Sequence, residues 1–238
     1  MRKFIVKLGL AVLLLAAAGG GANAQSTVWN TPSTDALEEG ATLVEADFLT
    51  HFGRAAAGGF RTYGVRVVRG TGRGTEIGVN AFVTRAGGET LPVEIQPNAK
   101  WNFYENEKYG VKAAAGVVGY LPVSKLRGGA DAFGMVYSTV SKKIRRKYGP
   151  RLTGGLYGLV AAKNGGGDRA GATVAVEQPV TARVTFLADW FSGKNRFGYV
   201  GAGVGLATSK KSSLYVGYNA GNAGRGNNYL GVFYSYTF

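Results

Sequence analysis

The sequence predicts an all-β fold in which twelve antiparallel strands close into a single transmembrane barrel over residues 41–238, with short turns on both sides. Three observations lead there. First, stretches of about ten residues alternate apolar and polar side chains with a period of two, which half-apolar strands require and helices do not give. In 93-VEIQPNAKWNFY-104, for example, Val93, Ile95, Pro97, Ala99, Trp101 and Phe103 oppose Glu94, Gln96, Asn98, Lys100, Asn102 and Tyr104. Second, the stretches between, such as 70-GTGR-73, 164-NGGGDR-169 and 221-GNAGRGNN-228, hold the residues of tight turns at positive φ. Third, tilted strands of about ten residues match the hydrocarbon thickness. Alternation alone fits a soluble sandwich as well, but an even strand number and closure leave no unpaired edge for lipid to meet.

Taken in order, the chain begins with an export address. Arg2, Lys3 and Lys7 precede the apolar run 8-LGLAVLLLAAA-18, and 22-ANA-24 offers the small residues of a cleavage site, so residues 1–24 read as a signal peptide. The run is too short to span a bilayer as a helix. Residues 25–40 read as an N-terminal periplasmic segment, which could instead fold back into the barrel mouth with Trp29 as a stopper or interface anchor. Strands are expected at 41–52, 60–69, 75–85, 93–104, 110–120, 132–142, 151–162, 170–178, 182–192, 197–207, 213–220 and 229–238.

Composition removes several chemistries. The 238 residues contain no cysteine and one histidine, His51, so disulfides, thiolate catalysis and the usual zinc sites lack their ligands, and neither metal nor cofactor is expected. The formal net charge is +14.

The last strand carries the most specific motif. In 227-NNYLGVFYSYTF-238, Leu230, Val232, Tyr234, Tyr236 and the terminal Phe238 share one face. This ending resembles that of porin-like bacterial outer-membrane β-barrel proteins, whose final strand finishes in an aromatic residue after alternate apolar positions. The resemblance spans the mature chain. It implies an outer-membrane location, contact with outer-membrane lipids (with lipopolysaccharide if the organism makes it), and recognition of those five residues by the barrel-assembly machinery. The stretch 59-GFRTYGVRVVRGTGRGTEIGVNAF-82 is also similar to barrels thought to transport aromatic compounds, a likeness that carries no residue role over.

With the last strand descending to the periplasm, the connections near 53–59, 86–92, 121–131, 163–169, 193–196 and 221–228 face outward. They are hardly longer than the inner turns and leave no residues for a large lid. With the apolar face toward lipid, parity turns Glu45, Asp47, Arg66, Glu76, Asn80, Glu94, Gln96, Asn98, Lys100, Lys112, Glu177, Arg183 and Asp189 into the lumen. That set is nearly balanced, so the positive excess belongs to the rims, where lipid phosphate is a simpler partner than nucleic acid.

A continuous polar ladder from Glu94 to Asn102 suggests a narrow channel for passive passage of small polar solutes. The alternative is a structural, lipid-interacting barrel whose opposed lumen charges pair into a non-conducting plug. In the outer loops, Lys194, Asn195, Arg196, Arg225 and Asn227, with Asn222 and Asn228, could grip a sugar or phosphate, although Asn and Gly are also what hairpin turns demand. Catalysis has little to work with. Twelve-stranded barrels that resemble phospholipases need a histidine and a serine together on the lipid-facing side, and parity turns His51 inward.

Overall fold

A computed structural model describes residues 27–54, 57–123, 132–162, 167–224 and 228–238. The expected signal peptide lies outside these residues. The strands are β1 (Thr42–His51), β2 (Phe60–Gly72), β3 (Thr75–Ala86), β4 (Glu89–Thr90), β5 (Glu94–Asn106), β6 (Val111–Pro122), β7 (Phe133–Lys143), β8 (Arg151–Val160), β9 (Ala170–Pro179), β10 (Val184–Phe191), β11 (Tyr199–Ala207), β12 (Ser212–Gly221) and β13 (Tyr229–Thr237). Each long strand pairs antiparallel with the next, and β1 pairs with both β2 and β13, which closes a twelve-stranded barrel. All twelve expected strands are present, with ends moved by no more than three residues. The two-residue β4 is additional and lies beside the end of β3.

The outward faces form an apolar belt. Val65, Ile77, Val140, Phe186 and Val200 are all exposed, and Leu156 is 65% exposed. Such a surface is stable only against hydrocarbon. Four of the five connections at one end, 73–74, 107–110, 180–183 and 208–211, are shorter than those at the opposite end, such as 52–59 and 192–198, while the fifth, 144–150, is as long as 192–198. That difference agrees with short periplasmic turns and longer outer loops.

One strand departs from simple alternation. The β5–β6 register shifts between Asn102 and Tyr104, and the extra residue resets the pleat. Phe103 and Tyr104 are therefore both exposed beside Trp101. Glu105, which unbroken parity would send into lipid, meets the inward Lys112 at 2.8 Å.

The hydrophobic core lies inside the barrel. One cluster joins Val28 and Trp29 to Ala175, Leu187, Tyr215 and Phe233, and a second gathers Tyr120, Met135, Tyr157 and Phe191. Leu37 packs with Leu43 and Val68 near the periplasmic end. Twelve strands enclose more space than their own side chains fill. The stretch before β1 occupies part of it, so residues 28–37 lie within the lumen rather than as a periplasmic lead-in, in line with the alternative of a segment folded back into the barrel with Trp29 inside.

Candidate functional site

The site is the middle of the lumen, where the N-terminal segment meets the wall. Thr27 and Pro32 form an antiparallel bridge and the Val28 N–H donates to the Thr31 carbonyl at 2.7 Å, which makes residues 27–32 a tight hairpin. Trp29 is 1% exposed. Its indole sits against inward glycines of β11, β12 and β13, and a Cβ on Gly201 or Gly217 would come within 2.5 or 2.9 Å of it. Trp29 Nε1 donates to Asn219 Oδ1 at 2.9 Å, and its ring packs on Phe233 with centroids 4.7 Å apart. Asp189 caps the turn by accepting from the backbone N–H groups of Asn30 and Thr31.

Below the hairpin the segment descends along the wall through polar ties. Thr34 and Ser141 share a 2.6 Å hydroxyl contact, and Asn102 Nδ2 donates to the Thr34 carbonyl at 2.9 Å. Asp35 pairs with Arg151 and, at 3.2 Å, with Lys112. Burial alone would raise the Asp35 carboxyl, but those two cations outweigh it and hold the group below its ordinary value. The Leu37 N–H donates to Glu76 at 2.9 Å, and residues 38–41 join the segment to β1 through hydrogen bonds with Gly70.

All thirteen parity-assigned residues point inward, but the wall and the segment use most of them. Lys100 meets Glu76 at 2.9 Å with both side chains almost fully buried. Arg66 bonds Asp47 at 2.6 Å, lies 3.4 Å from Glu45, and spreads over Phe82 and Phe233. Asn80 donates to Gln96, Asn98 donates to Asn80, and Glu177 holds Arg151. The expected open ladder from Glu94 to Asn102 is thus a set of partnered groups.

Two vestibules flank this septum. The periplasmic one, about 540 Å³, is lined by Asp35, Lys112, Arg151, Glu177 and Arg183 among others. The outer one, about 490 Å³, is lined by Asn30, Arg66, Glu94, Gln96, Tyr120, Arg196 and further aromatic residues. They share no lining residue.

The outer-loop cluster is not a free set of donors. Arg225 and Asn227 lie outside the described residues. Asn195 Nδ2 donates to Tyr157 Oη and to the Asp168 carbonyl, the Lys194 N–H donates to Asp168, and Asn222 ties to Phe191 and Gly193. Arg196 turns inward and makes two bonds to Glu94, at 2.8 and 2.9 Å, with its guanidinium over Tyr120, Phe133 and Phe197. The β10–β11 loop lies almost opposite β5 around the ring. A short loop therefore straps the outer mouth without the extra residues a large lid would need. His51 Nδ1, at the same rim, donates to the Asn228 carbonyl.

Sequence reasoning placed the wall residues but not the grip on the hairpin by Asp189, Asn219 and the glycines. The available signal was glycine at inward positions of three successive strands facing a lone tryptophan ahead of β1.

No family model and no curated protein matches the sequence. Solved structures do match. An outer-membrane channel from Pseudomonas putida F1 aligns with a TM-score of 0.62 at 14% identity, covering 87% of this chain and 98% of that one. The KdgM porin, in complex with disordered oligogalacturonate, aligns at 0.56 and 10% identity, covering 83% and 99%. The fold is that of a bacterial outer-membrane β-barrel. At these identities the likeness extends to fold alone. The closed wall and the apolar belt suit a barrel that crosses a membrane.

Proposed function

We propose that the barrel is a narrow channel for small polar solutes, held closed by its own N-terminal segment. The observation that carries this reading is the pair of vestibules, about 540 and 490 Å³, facing each other across one short hairpin and a few ion pairs. A barrel serving only as a wall has no need of chambers lined in part by charged side chains on both sides of a partition. The hairpin is held by hydrogen bonds and a packed indole rather than by strand pairing with the wall, so it can leave without breaking the sheet.

Conductance in planar bilayers tests this. Wild-type protein is expected to give small, intermittent currents, and a variant lacking residues 26–36 larger and steadier ones. If that variant, shown folded by its heat-modifiable migration, conducts no more than wild type, the proposal fails. The buried pairs Lys100–Glu76 and Arg66–Asp47 favour a second reading, a non-conducting structural barrel. That reading expects silence from both proteins.

A further inference from the structure

On the outside of the barrel, Arg61 of β2 and Arg85 of β3 are directly opposite each other in register, and both are exposed. Alternation sends them to the lipid-facing side with Tyr63 and Val83, since Thr62 and Thr84, whose hydroxyls meet at 2.8 Å, line the lumen. Like charges directly opposite in a ladder repel. Among the described residues, no carboxylate lies within salt-bridge distance of either guanidinium. The row continues beyond Arg85 into an exposed hydroxyl, Thr90 of β4, whereas Thr50 of β1, opposite Arg61, is buried and donates to the Phe60 carbonyl. Glu89 is opposite Ala86 and so belongs to the other face.

The depth of the row is fixed by β2 itself. Its outward residues run Arg61, Tyr63, Val65, Val67, Arg69, an apolar stretch with an arginine at each end. At strand rise and barrel tilt the two arginines stand about 20 Å apart along the membrane normal, at opposite headgroup levels. At the periplasmic end Arg69 is single, opposite Ile77 and Thr42, and donates to Thr42 Oγ1 at 3.0 Å. The doubled arginine occurs only at the outer end of this strand pair. Guanidinium forks match phosphate oxygens two at a time.

We infer that Arg61 and Arg85, flanked by Thr90, form a clamp for the phosphate of an outer-leaflet glycolipid of the lipid A type, whose acyl chains lie on the Tyr63 and Val83 face. The inference rests on the outer-membrane reading. An anion between the guanidiniums turns a repulsive cross-strand pair into two charge-assisted contacts, and the apolar face below holds the same molecule's tails.

The test uses full-length protein in detergent, titrated with diphosphoryl lipid A, with dephosphorylated lipid A and inorganic phosphate as separate arms. Arg61→Ala with Arg85→Ala is expected to weaken lipid A binding by about tenfold or more. Arg61→Lys with Arg85→Lys should fall between, since lysine keeps the charge but loses the fork. Dephosphorylated lipid should bind wild type and variants alike. Absence of lipid A binding to wild type, equal affinity in the double-alanine variant, or inorganic phosphate binding as tightly as lipid A would each overturn the clamp. Heat-modifiable migration of the same samples separates the two levels. Loss of the clamp in a detergent-dependent barrel leaves the membrane reading intact, whereas a protein soluble without detergent removes both.

Discussion

The Lys100–Glu76 pair is the sharpest case at the scale of single residues. Both side chains are about 96% buried, and their bond, with the Leu37 N–H on Glu76, joins β5, β3 and the N-terminal segment. Lys100→Met strands a buried carboxylate and is expected to destabilise the barrel by about 3–5 kcal/mol, whereas adding Glu76→Leu should recover most of that. Urea unfolding of the single and double variants in detergent checks both outcomes. Asp189 invites a functional counterpart. Asp189→Ala removes the acceptor for two backbone N–H groups of the hairpin turn and should raise open probability in bilayers without changing strand content. The facing of these residues was legible in the sequence because a strand's period of two fixes which side a residue takes. Their partners were not, since alternation says nothing of what stands across a lumen. Arg196 and Glu94 are 102 positions apart.

Among the elements, each long strand announced itself by its own alternation and turn residues, so the tally of twelve needed no tertiary information. Two features escaped for physical reasons. The two-residue β4 is too short to show any period, and the β5 bulge is hidden because Phe103 and Tyr104 are both aromatic, leaving only the inward turn of Glu105 to reveal it. The N-terminal segment has no periodicity either, and its place follows from what the barrel leaves empty. Its lower half depends on a carboxylate held below its ordinary pKa. Stability from the Asp35 contacts to Arg151 and Lys112 is fully present above the unfolded value near 3.8 and is lost as pH falls through the lowered folded value. Bilayer currents should therefore rise only in strong acid, and Asp35→Asn should conduct more at neutral pH and show a smaller acid step.

Taken as a whole, the molecule has its greasy surface outside and its polar network inside, an arrangement set by the solvent on each side of one closed sheet. The final strand completes that closure. The Phe238 N–H donates to the Thr42 carbonyl at 2.9 Å and its ring, 68% exposed, packs on Tyr236. Phe238→Ser leaves the barrel's contacts nearly intact, yet if the terminal pattern is an assembly signal it should lower the fraction reaching the folded, heat-modifiable form in cells. Equal yields from both proteins would argue against such recognition. The four-residue link 38–41, anchored at Gly70, also governs how the hairpin behaves once released. A leash that short keeps its cargo at a local concentration of roughly millimolar beside its own socket. Recapture is then a first-order event indifferent to how densely the protein is packed, so the pore flickers instead of staying agape, and a free peptide copying residues 27–36 must approach that same concentration to take the socket.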